Sequence, residues 1–163
     1  MIGKSIAEAR DQIDWTPEWS RRGRGFATYA ALRQLGRSGV ADLIERSCEH
    51  ALALVTQIGA LSGAEIVWKP QINQGLVRFL DPRKTATEED HDCFTDAVMA
   101  AILSTGDAFF TGTTWRGRKA MRVSVCNWQT TSEDVDAVCR SIAKVLSNAR
   151  MIATARGQRS NVD

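Results

Sequence analysis

Arg122 is the residue of this chain whose type and setting most invite chemistry. It stands in Met121-Arg122-Val123-Ser124-Val125-Cys126, where apolar and polar side chains alternate with a period of two. That alternation describes a half-buried strand, sending Met121, Val123 and Val125 to a core and Arg122 to the opposite face. A guanidinium presented there is a planar, permanently charged fork that suits a carboxylate. It also suits an acidic neighbour at the edge of the core, and the strand alone does not choose between the two. A second charged feature is Trp19-Ser20-Arg21-Arg22. Here Ser20 caps a following helix, and a helix N-terminus beside two arginines either faces a phosphate or is a plain cap with a solvated basic cluster.

The other reactive residue types assemble into nothing comparable. Cys48, Cys93, Cys126 and Cys139 contain no CxxC pair, and His50 and His91 make no ligand spacing with them, so no metal site is expected. Buried free thiols in a reducing compartment are the simpler reading. A net charge of +2 over 163 residues is too mild to argue for nucleic acid. One copy of Ser-Arg-Arg-Gly-Arg-Gly-Phe, followed at once by a helical apolar pattern, does not make an RNA-binding segment. Arg78 is read as structural, and Trp68, Trp115 and Trp128 as sheet-edge packing. No stretch approaches the roughly 20 apolar residues of a membrane span, and the N-terminus has no apolar signal region, so a cytoplasmic location is expected.

The elements that must position Arg122 follow from periodicity and punctuation. Residues 1–20 read as an arm, 21–155 as the folded part and 156–163 as a disordered tail. A helix over about 21–35 stops at Gly36. A second runs from Val40 to Ile58, with Ile44, Cys48, Ala51, Val55 and Ile58 on one stripe. Strands are expected over 64–69 and 75–80. A helix over 88–104 follows, facing Phe94, Ala97, Val98, Ala101 and Ile102 to the core. Strands over 108–115 and 120–126 are joined by Arg-Gly-Arg-Lys, with Gly117 supplying the turn. Thr130-x-x-Glu133 reads as a capping box opening a last helix. The chain lacks a P-loop and a GxGxxG. The expected class is α+β: an antiparallel sheet of about four strands, helices on one face, preceded by two helices.

Three blocks carry a resemblance: "PEWSRRGRGFATYAALRQLGRSGVADLIERSCEHA", "NQGLVRF" and "TTWRGRKAMRVSVCNWQTTSEDVD". In this order and spacing they resemble the C-terminal third of the pyridoxal-phosphate-dependent group II decarboxylases, the family of the aromatic-amino-acid, glutamate, histidine and 2,4-diaminobutyrate decarboxylases. The resemblance spans about residues 15 to 150 and implies the small C-terminal domain of a fold-type-I enzyme, with the helix leading into it. It implies pyridoxal 5'-phosphate for the complete enzyme, an amino-acid substrate, a large cofactor-binding domain and an obligate homodimer. It places Arg122 at the substrate carboxylate and Ser20 near the phosphate of the cofactor in the partner subunit.

The same resemblance implies no catalytic residue in this chain. The family's Schiff-base lysine follows a histidine, and no His-Lys pair occurs among Lys4, Lys69, Lys84, Lys119 and Lys144. Tyr29 lies on a helix beyond the loop that carries the family's proton-donating tyrosine. Without those parts the cofactor ring cannot act as an electron sink. The chain is therefore expected to be inactive alone, contributing substrate-side and interface residues. The rival expectation is a free-standing, non-catalytic α+β module that binds a ligand or partner through the helix-free face.

Overall fold

The computed structural model describes residues 23–159, so Ser20 and its neighbours Trp19, Arg21 and Arg22 lie outside the described residues. The chain divides into two units, 1–40 and 41–163. Helix α1 (Arg24–Gly59) runs through that boundary and is interrupted at Gly36, whose φ of 62° and ψ of −175° are not helical. A left-handed φ is open to glycine at no steric cost. The expected break falls there, but the chain returns to helix immediately instead of staying out of helix until Val40. Within the first unit, Phe26, Tyr29, Leu32 and Leu35 of α1 are exposed.

The second unit is the α+β body. It continues with β1 (Ala64–Trp68), β2 (Gln74–Phe79), α2 (Glu88–Thr105), β3 (Thr111–Trp115), β4 (Arg118–Ser124) and α3 (Ser132–Arg159). The four strands form one antiparallel sheet in the order β1-β2-β4-β3. The last part of α1, together with α2 and α3, gives one face of that sheet its core. Ala51, Val55 and Ile58 pack there with Val77, Phe79, Phe94, Val98, Met121, Val123, Ile142 and Leu146. Burying side chains of this size supplies most of the folding drive, roughly 1.5–3 kcal/mol for each large one. Ile44, on the expected stripe of α1, remains about half exposed.

Local chemistry sets the boundaries. Arg116 and Gly117 both have positive φ, 50° and 79°, so the β3–β4 hairpin turns through the type I′ geometry that matches the strand twist. Helix α2 opens on a capping box: the Thr87 hydroxyl accepts from the Asp90 amide, and the Asp90 carboxylate accepts from the Thr87 amide. It closes on Gly106 in the left-handed region. Helix α3 starts one residue later than expected. Thr131 and Asp134 make the reciprocal capping bonds instead of Thr130 and Glu133. It extends to Arg159, into the stretch read as a disordered tail from 156 onward.

The Asp90 cap titrates. Bonds from the Thr87 amide, and then from Arg83, hold its carboxyl at about 2 against an ordinary 3.8. A depressed carboxylate stabilises the fold above its unfolded pKa and loses that contribution as pH falls through the folded one. Acid titration followed by circular dichroism should therefore show a loss of stability between about pH 4 and pH 2, and Asp90→Asn should flatten that part of the profile. An unchanged profile in the variant would remove the cap from the acid response.

Candidate functional site

The pleat of β4 places its residues as the alternation requires. Met121, Val123 and Val125 are buried, while Arg122 and Ser124 are exposed on the face without helices. Register fixes the neighbours on that face. Arg122 lies opposite Leu76 of β2 on one side and Thr111 of β3 on the other. The Thr111 hydroxyl accepts from Arg122 Nε at 3.2 Å. Among the described residues no carboxylate pairs with Arg122, so both terminal nitrogens of the fork stay available.

The helix-free face is nevertheless not bare. Trp68 of β1 and Trp115 of β3 belong to the two outermost strands, separated by three strand spacings, roughly 14 Å. Their rings lean inward until the centroids are 5.7 Å apart at an interplanar angle of 58°. Tilted aromatic pairs at this distance are favourable beyond their buried area. The two indoles thus join the opposite edges of the sheet, a longer-range contact than the edge packing expected from the sequence. Beside them a cavity of about 260 Å3 is lined by Trp68, Trp115, Leu76, Gln74, Thr113 and Arg122. Among the described residues Arg122 is its sole charged lining residue.

Arg78 lies on the same face and behaves oppositely. It is 1% exposed, and α2 supplies its partners: Glu88 at 2.9 Å and Asp92 at 3.5 Å. Its Nε has no partner. The Arg78 guanidinium holds the Glu88 carboxyl below its usual range. Arg118 approaches Glu88 at 3.6 Å and Glu65 of β1 at 3.9 Å, and Asp92 accepts from the Lys119 amide at 2.9 Å. The sheet therefore carries two arginines engaged by carboxylates, Arg78 and Arg118, and one left open, Arg122.

The lysines decide what the described residues can hold. Lys69, Lys84, Lys119 and Lys144 are all exposed. None is buried and none lines the cavity beside Arg122, so the described residues offer no enclosed amine for a covalently held pyridoxal phosphate. Borohydride treatment of the purified chain with pyridoxal phosphate should leave no stoichiometric adduct on a single lysine; such an adduct, found by peptide mass spectrometry, would refute this. Burial pushes the Cys139 thiol up to about 11, which keeps it an inert core residue. No group of three or more His, Cys, Asp or Glu side chains among the described residues could hold a metal ion.

No protein-family model matches the chain, and no curated protein matches it. Solved structures do. The crystal structure of Oryza sativa TDC with PLP and tryptamine superposes with a TM-score of 0.74 at 22% identity, over 86% of this chain and 30% of that one. Catharanthus roseus tryptophan decarboxylase in complex with L-tryptophan gives 0.69 at 19% identity, over 79% and 26%. The glutamate decarboxylase domain of the Vibrio parahaemolyticus diaminobutyrate-pyruvate transaminase and L-2,4-diaminobutyrate decarboxylase gives 0.60 at 18%, over 74% and 25%. The chain thus shares the fold of a portion of the group II pyridoxal-phosphate decarboxylases and spans less than a third of each of these structures. The match is consistent with their C-terminal portion and with the small α+β domain expected from the sequence.

Proposed function

We propose that this chain is the C-terminal part of a pyridoxal-phosphate-dependent amino-acid decarboxylase, a carboxy-lyase, and that it supplies Arg122 to bind the substrate carboxylate. One observation carries this reading: Arg122, bonded through Nε to Thr111 and paired with no carboxylate among the described residues, lines a cavity. In the complete enzyme the cofactor supplies the electron sink. The chain's own part is to hold and orient a carboxylate. A large domain, with the Schiff-base lysine, completes the site in a cytoplasmic homodimer. The role expected of Ser20, at the cofactor phosphate of the partner subunit, belongs to the same reading and falls outside the described residues.

The fold likeness supports the enzyme class, and the exposed apolar side chains of α1, Phe26, Tyr29, Leu32 and Leu35, are compatible with burial against a further domain. A free-standing binding module is the rival reading, favoured by the sheet face that its own tryptophans cover.

Co-expression with the product of the adjacent upstream reading frame tests the choice. The expected complex binds pyridoxal phosphate and releases carbon dioxide from an amino acid. In it, Arg122→Ala should lower kcat/KM by about 10- to 150-fold, since a charge-assisted bond contributes roughly 1.5–3 kcal/mol. Arg122→Lys should recover only part of this, because an ammonium cannot reproduce the planar fork. An upstream frame without a His-Lys block, or a complex indifferent to Arg122→Ala, would favour the rival.

A further inference from the structure

We infer that the cavity on the helix-free face is a binding site, within this chain alone, for a small planar aromatic carboxylate. The inference rests on the carboxylate role proposed for Arg122 and adds the remainder of the ligand. Three observations carry it. The first is charge: among the described residues Arg122 alone of the cavity's lining side chains is ionised, and no aspartate or glutamate lines it. A ligand entering there finds a partner for a carboxylate and none for an ammonium group. The second is geometry. Thr111 holds Nε, so the two terminal nitrogens of the fork are the donors that remain, as a bidentate carboxylate requires.

The third is the character of the walls. Trp68 and Trp115, each 39% exposed, stand beside Leu76 and offer aromatic and apolar surface, with the Arg116 guanidinium over the Trp115 ring at 5.8 Å from its centroid. Indole faces favour a flat ring in offset or tilted contact over an aliphatic chain of the same size. The volume of about 260 Å3 lies just below the usual range for small-molecule pockets, roughly 300–1,000 Å3. That suits one ring or a fused pair with a short acid arm. Gln74 and Thr113 add neutral hydrogen-bonding groups without changing the charge preference.

The site is tested on the purified chain by calorimetry and by ligand-observed nuclear magnetic resonance. The probes are indole-3-acetate, phenethylamine and acetate. Indole-3-acetate should bind with millimolar or tighter affinity. Phenethylamine, which keeps a ring but reverses the charge, and acetate, which lacks the ring, should each bind about tenfold more weakly or worse. Arg122→Gln, a surface change, should weaken indole-3-acetate by about tenfold or more. Trp115→Leu and Trp68→Leu should weaken it several-fold, with the variant that melts like the parent taken as the reading. Lys144→Gln, on α3 away from the cavity, should leave binding unchanged.

Equal binding of phenethylamine, equal binding of acetate, insensitivity to Arg122→Gln, or no binding at all would each overturn the inference. Failure here is distinct from failure of the decarboxylase reading. Carbon dioxide release by a co-expressed complex on a non-aromatic amino acid would uphold that reading while this one fell. Binding by the chain without any such complex would do the reverse.

Discussion

Arg78→Ala should destabilise the chain by about 2–4 kcal/mol in urea unfolding, whereas Arg122→Ala should cost less than about 1 kcal/mol. The two arginines share a sheet face and differ in burial and pairing. Removing the 1%-exposed Arg78 opens a hole where its stem packed, takes the cation from Asp92 and leaves Glu88 only its longer contact with Arg118. Losing one member of a fully buried pair costs roughly 3–5 kcal/mol. The lower range applies here because Glu88 is largely solvated. Arg78→Met makes the argument specific. It keeps the stem volume and deletes both the buried charge and the unpartnered Nε, so it should recover at least half of the loss. Arg78→Ala costing no more than Arg122→Ala would mean that the Glu88 and Asp92 pairs contribute nothing beyond a surface contact.

Thr95→Val should cost about 2–4 kcal/mol, although valine matches threonine in shape and is the more apolar. The pairing of β2 with β4 ends at Val77 and Met121. Phe79, two residues further along β2, directs its amide and carbonyl past that end. The Thr95 hydroxyl takes the place of a strand there, accepting from Phe79 N and donating to Phe79 O, each at 3.0 Å. Thr95 and Phe79 are both fully buried. Valine would leave two buried backbone groups unpaired, at roughly 1–3 kcal/mol each. Thr95→Ser, which retains the hydroxyl, should lose less than half as much. Hydrogen exchange at the Phe79 amide gives a local check: it should accelerate in the valine variant beyond the change in global stability. An ordinary core loss below about 1 kcal/mol, with Phe79 protection intact, would show that water or a relaxed backbone replaces the hydroxyl.

What the sequence disclosed and what it withheld divide along sequence distance. Alternation in Met121-Arg122-Val123 gave the facing of Arg122, because a period of two is local information. The Arg78 environment depends on Glu88 and Asp92, one helix away, and nothing in Gly-Leu-Val-Arg-Phe foretells two carboxylates from α2. The contact between Trp68 and Trp115 needs the order of all four strands, which neither hairpin contains. Thr95 went unread because a threonine among apolar helix positions looks like surface, and Ala97, expected in the core, is exposed. The start of α3 slipped by one because adjacent Thr130 and Thr131 each have an acidic residue three positions on. Local pattern cannot rank two equivalent caps.

The tryptophan clasp has an optical consequence. Two indole chromophores 5.7 Å apart and inclined at 58° are close enough for their electronic transitions to couple, and coupled transitions with a fixed relative tilt rotate polarised light. The ultraviolet circular dichroism spectrum of this chain should therefore carry a paired positive and negative band that vanishes in either Trp68→Phe or Trp115→Phe, though each variant still holds the other indole. Because the two rings come from opposite rims of the sheet, that band gauges the span between the rims. It should fade when the rims part, ahead of any loss of the helical signal.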